Sequence, residues 1–186
     1  MNGICTFFDE FIADCAKHSY ECDGVDVYGV YNATNGLVGD LLEVGGQKLG
    51  IPTEAQFCAE RDMRELLNGM GEYKKSATLF VKAHSQGCET AYNLSKEIRS
   101  VMNVSGYGPA RVLSKTDFKN AHNYLSPCDF VTYIADPIGL VNGIRRGDTE
   151  FVKTYGCPLG CHFILGPTYD QVSKAVNADY LQKTGR

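Results

Sequence analysis

Ser85 stands in the run Leu79-Phe80-Val81-Lys82-Ala83-His84-Ser85-Gln86-Gly87-Cys88, where an apolar, strand-like stretch gives way to a helical pattern carrying Cys88, Ala91, Leu94, Ile98 and Val101. A serine hydroxyl is a poor nucleophile unless it sits on a tight turn beside a base and beside amides that receive an oxyanion. A strand-to-helix elbow supplies that geometry. Ala83 and Gly87, two residues before and two after the serine, are small enough for such a turn to pack. The following helix turns its free amides and positive end toward a developing negative charge. The chemistry this pattern could support is attack on an acyl carbonyl. The plainer alternative is a helix cap made by Ser85.

Ala83-His84-Ser85-Gln86-Gly87 resembles the nucleophile elbow of α/β-hydrolases, in the variant of some compact bacterial lipases where alanine replaces the first glycine of G-x-S-x-G. The segment is also similar to one in uncharacterised proteins of intracellular bacteria, chlamydiae among them. The resemblance implies a three-layer α/β-hydrolase-like fold spanning residues 1–186 as one domain, with a mostly parallel central sheet, helices on both faces, no large lid and a fairly open site. It implies a triad in the chain order nucleophile, acid, base. Only His122 and His162 follow Ser85, and His162, just ahead of the last helix, stands where the family carries its base. Asp129, on the turn Ser126-Pro127-Cys128-Asp129, is the implied acid, with Asp136 and then Asp148 as alternatives. The implied activity is that of a serine hydrolase acting on an ester, thioester or related acyl bond of a small-molecule or lipid-like substrate, through an acyl-enzyme and without a cofactor or metal. The oxyanion would be received by the Gln86 amide and by a second amide at Asn32 or Ala33. Tyr31-Asn32-Ala33-Thr34-Asn35-Gly36 lacks the His-Gly-Gly-Gly type of loop that lipases use there. His84 is expected to point away from Ser85.

Two other readings compete. In one, the fold is retained but the serine is vestigial and the chain is a binding or interaction module. In the other, Cys157, Cys161 and His162, joined by Cys128, hold zinc, which would remove His162 as a base. Gly45-Gly46, Gly106-x-Gly108 and Gly139-x3-Gly143 lack the strand-glycine-helix context of a dinucleotide site and read as turns.

The elements that must position these residues follow from periodicity. Phe7, Phe8, Phe11, Ile12 and Cys15 recur at helical spacing, and residues 25–31 read as a strand. Residues 37–42 suggest a helix stopped by Gly45-Gly46, and Thr53 with Gln56 forms a capping box opening a helix through Leu67. Residues 77–81 read as a buried strand, 86–102 as one helix, and 110–113, 121–125, 130–134 and 151–155 as further strands. Residues 168–181 close the chain as an amphipathic helix. Alternation of this kind implies a largely parallel sheet.

The 186-residue chain, with 44% hydrophobic residues, is long enough to bury a core without staples. Its net charge of -4 and scattered basic residues argue against nucleic-acid binding. No apolar run approaches the roughly 20 residues needed to span a bilayer. Asp9, Glu10 and Asp14 interrupt the first apolar residues, which is unlike a signal peptide. A cytoplasmic location is therefore expected, with the eight cysteines reduced and mostly buried.

Overall fold

A computed structural model of the chain describes residues 1–3, 6–155, 162 and 166–185. Four strands, β1 (Leu79–His84), β2 (Met102–Tyr107), β3 (Asn120–Leu125) and β4 (Thr149–Phe151), form a sheet in the order β1-β2-β3-β4. Every pairing is parallel. Eight α-helices accompany them among the described residues: α1 (Phe8–Glu21), α2 (Gly36–Lys48), α3 (Glu54–Gly69), α4 (Gln86–Tyr92), α5 (Lys96–Arg99), α6 (Phe130–Ala135), α7 (Pro137–Arg146) and α8 (Pro167–Thr184).

Strand periodicity of two divides the side chains between two helical layers. Leu79, Val81 and Ala83 of β1, Met102 and Val104 of β2 and Ala121 of β3 pack with Ala59 and Leu67 of α3, Cys88 and Ala91 of α4 and Ile98 of α5. Ile98 is fully buried there, and burying such a side chain contributes about 1.5–3 kcal/mol. On the opposite face Phe80 meets the ring of Tyr180, and Tyr107 meets Tyr169, both on α8. α1 packs beside α8, tied to it by the ion pair of Lys17 with Asp170 and the bond from Asn177 to Glu21. The chain is thus a mixed α/β structure with helices on both faces of a parallel sheet.

Residues 1–3 occupy the outer edge of β1. The Met1 nitrogen donates to the Lys82 carbonyl (3.0 Å), and the His84 amide donates to the Met1 carbonyl (3.1 Å). This edge is where the expected strand over residues 25–31 would have to pair. That segment is irregular instead, and its Tyr31 ring covers Phe8 and Phe11 of α1.

Several other expectations are corrected. Residues 86–102 do not form one helix: α4 and α5 are separated at Asn93–Ser95, where the Ser95 amide is taken by Glu60 (2.9 Å), and β2 begins at Met102. Residues 110–113 are not a strand, because the Val112 amide goes to the Asp136 carboxylate and the Leu113 amide to the Asn123 side chain, both at 2.9 Å. Residues 130–134 lie in α6, whose first turn is capped by Asp129 accepting from the Val131 amide (3.1 Å). α2 runs through Gly45-Gly46 to Lys48, its Gln47 buried and bonded to Thr90 and Gln86; this packing outweighs the low helix propensity of glycine. β4 covers residues 149–151, with one further bond from the Val152 amide to the Leu125 carbonyl (2.9 Å). Thr53 caps α3, its hydroxyl accepting from the Gln56 amide (3.2 Å), but the expected box does not close, because the Gln56 side chain donates to the Asn93 carbonyl instead (3.0 Å).

Cys22 and Cys88 are buried thiols, whereas Cys128 is exposed. No helix among the described residues is long and apolar enough to cross a membrane.

Lys82 places a cation inside the α1-β1-α8 layer, donating to the Ser173 hydroxyl (2.7 Å) and carbonyl (3.2 Å) with His18 3.3 Å away. Burial pushes its ammonium down to about 8, although Cys22, Asp14 and Glu21 pull the other way. An unfolded lysine titrates near 10.4, so between these values the native state holds fewer protons and its stability rises with pH. Urea unfolding is expected to show the native chain gaining up to about 3 kcal/mol relative to Lys82→Met between pH 7 and pH 10.5.

Candidate functional site

β1 ends in a backbone reversal. Ser85 has φ 52° and ψ -116°, one of two non-glycine residues with positive φ among the described residues. Such a conformation costs about 1–3 kcal/mol and persists only where its surroundings impose it. Here the Ser85 amide donates to the Tyr107 carbonyl (3.0 Å), and the Ser85 carbonyl accepts from Cys88 and Ala110 (both 3.1 Å). Ala83 is fully buried, and a Cβ at Gly87 would lie 2.6 Å from the Met1 carbonyl oxygen. Small residues are needed at both positions because sheet and edge segment close on the turn from two sides. α4 starts at Gln86, so the Gln86 amide is among the first-turn donors that a helix leaves unbonded.

The reversal carries Ser85 to His162. His162 Nε2 lies 3.0 Å from Ser85 Oγ, and Nδ1 lies 2.9 and 2.8 Å from the two Asp129 oxygens. A carboxylate accepts, so the bond to Asp129 assigns the proton to Nδ1 and leaves the Nε2 lone pair facing the serine hydroxyl. Asp129 arrives from the turn after β3, its amide bonded to the Ser126 carbonyl (2.9 Å). It serves both as cap of α6 and as partner of His162. Burial pushes the Asp129 carboxyl up, but bonds from His162, Tyr169 and the Val131 amide outweigh this and hold it below the ordinary carboxylate value.

Two residues at this site were invisible to spacing. The Tyr169 hydroxyl donates to Asp129 Oδ2 (2.7 Å) and accepts from the Ser126 amide (3.2 Å), joining α8 to the acid. Gly108 (φ 48°) lets the chain after β2 close on the same carboxylate: a Cβ there would strike Asp129 Oδ2 and stand 3.0 Å from His162 Nδ1. The sequence marked Gly108 only as a turn, and nothing in the helical pattern singled out Tyr169.

The remaining candidates are engaged elsewhere. Asp136 accepts from the Val112 and Gly139 amides at the start of α7 (2.9 and 3.1 Å). Asp148 is buried and paired with Arg146 (2.7 Å). His122 faces Glu150 across the sheet (3.2 Å). Asn32 is corrected as an oxyanion donor, because its amide is already given to the Asn2 side chain (2.6 Å). Asn32 and Ala33 line a cavity of about 740 Å³ between α2 and α3 whose walls do not include Ser85. The described residue beside the elbow is instead Gly3, where a Cβ would stand 2.8 Å from the Ser85 Cβ. For the zinc reading, Cys157 and Cys161 lie outside the described residues, and both ring nitrogens of His162 are engaged by Asp129 and Ser85. The site is also less open than expected from the chain's size: Ser85 is 1% exposed.

No family model, curated protein or solved structure matches the chain. The chemistry of the site is therefore argued from its geometry.

Tyr169→Phe removes one donor from a buried, ionised carboxylate and is expected to cost about 1.5–3 kcal/mol at pH 7 in urea unfolding. Because the native Asp129 value is lowered, the stability it contributes is present above the unfolded value of about 4 and is lost as pH falls through the native one. The deficit of the variant should accordingly shrink at pH 3.

Proposed function

We propose that the chain is a serine hydrolase of the α/β-hydrolase type, cleaving an ester, thioester or related acyl bond. The observation that carries this reading is the continuous line of hydrogen bonds from Ser85 Oγ through His162 to Asp129, built on a left-handed serine between a strand and a helix. The order along the chain supports it: the serine follows β1, the acid follows β3 and the base follows β4, in the sequence the resemblance implies.

In this mechanism His162 Nε2 takes the proton from Ser85 as Oγ attacks the acyl carbonyl. Asp129 keeps the ring in the Nδ1-protonated tautomer and stabilises the imidazolium. The oxyanion is received by the Gln86 amide, with a second donor from the edge segment that reaches the elbow at Gly3. Collapse of the tetrahedral intermediate expels the leaving group, which takes its proton from His162. Water, deprotonated by His162, then releases the acyl group and restores the serine.

The burial of Ser85 favours a second reading, in which the same three side chains form a structural polar network in a non-catalytic binding module. Labelling with a fluorophosphonate probe separates the two. The hydrolase reading expects labelling of the native chain, none of Ser85→Ala or His162→Ala, and a rate for Asp129→Asn lower by about a thousandfold or more. A folded native chain that takes up no probe, or equal labelling of Ser85→Ala, contradicts it.

A further inference from the structure

His84 precedes the nucleophile and points away from its hydroxyl, but it does not face solvent. The residue is 4% exposed, and its ring lies against that of His162, with centroids 4.8 Å apart and planes inclined by 39°. Its Nε2 is 2.5 Å from the main-chain carbonyl oxygen of His162. A carbonyl only accepts, so His84 Nε2 carries the proton and donates it. The other nitrogen, Nδ1, is buried without a hydrogen-bond partner among the described residues and faces Gly3, where a Cβ would approach to 2.7 Å.

The contact matters because of how His162 is held. Its ring is fixed at two points, Nδ1 on Asp129 and Nε2 on Ser85, but both partners act on the side chain. The bond from His84 acts on the main chain from which that ring projects. One residue of β1 therefore supports the base while the next residue supplies the nucleophile. Displacing a reacting group by about 1 Å can cost about a hundredfold in rate.

We propose that His84 is a positioning residue: a neutral histidine whose Nε2 proton pins the main chain of His162, so that the His162 ring reaches Ser85 and Asp129 together. Neutrality follows from the surroundings. Burial, and then the nearness of His162, push His84 down to about 3. It consequently offers a constant donor and places no second positive charge beside the imidazolium that forms on His162 during turnover. The kinetic consequence rests on the serine-hydrolase reading; the structural assignment does not.

Two measurements test it. In ¹⁵N imidazole spectra of the native chain, His84 should be protonated at Nε2 and bare at Nδ1 from pH 5 to pH 8. Inactivation by the fluorophosphonate probe over a range of concentrations should show His84→Phe losing about 10-fold to 100-fold in limiting rate with half-saturating concentration little changed. His84→Gln, whose amide offers a donor at the same reach, should recover most of that rate. A native-like rate in His84→Phe, no recovery in His84→Gln, or a His84 that titrates or carries its proton on Nδ1 between pH 5 and pH 8 would overturn the assignment. If the native chain takes up no probe, it is the hydrolase reading that fails. The spectra then decide the positioning role: His162 ring signals should move in His84→Phe and hold in His84→Gln, and unmoved signals in His84→Phe overturn it. If His84→Phe does not fold, the native spectra and His84→Gln still decide.

Discussion

A left-handed serine is a conformation the chain adopts only under compulsion, and at Ser85 the compulsion comes from every side. The Tyr107 carbonyl holds its amide, Ala110 and Cys88 hold its carbonyl, and the edge segment at residues 1–3 packs so closely that a Cβ at Gly87 would strike Met1 and one at Gly3 would strike His84 and Ser85. The parallel register of β1 with β2 brings Tyr107 level with the end of β1. The strain is thus supported by the sheet and not by the turn alone. It has a direct consequence: the hydroxyl is turned out of the strand toward the residues that follow β3 and β4.

The second requirement is an ionised carboxylate in a place that disfavours one. Asp129 is fully buried, and an unpaired charge there would be costly. His162, Tyr169 and the Val131 amide offset that cost from three parts of the chain, and Gly108 gives the carboxylate room. The same contacts that keep Asp129 charged orient His162, while His84 holds the main chain of that residue from the opposite side. Charge, tautomer and position are set by one network.

What the sequence disclosed depended on whether local pattern and tertiary packing agreed. The elbow was legible because small residues, an apolar strand and a helix coincided around Ser85. The cap at Thr53, β3 and the last helix were legible for similar reasons. Met102 to Tyr107 was hidden because Ile98 and Val101 continue the helical spacing of the preceding residues into the strand. Phe130 to Ile134 is a short apolar run, which periodicity alone cannot assign, and the capping role of Asp129 decides it in favour of helix. Residues 25–31 have strand composition, but the outer edge of β1 is already taken by residues 1–3. Asn32 was chosen by chain order, and only a partner 30 residues away shows that its amide is taken. Tyr169 acts through one hydroxyl at a distance of 40 residues from Asp129, a relation no spacing rule contains.

The central claim is that Ser85 becomes covalently acylated. The most direct test is to mix the native chain with p-nitrophenyl acetate, quench in acid within the first turnover and locate added acetyl groups by peptide mass spectrometry. The account predicts an acetyl group on Ser85. Peptides containing Ser85 that stay unmodified while the ester is consumed, or acetyl groups confined to lysines and cysteines, would contradict it.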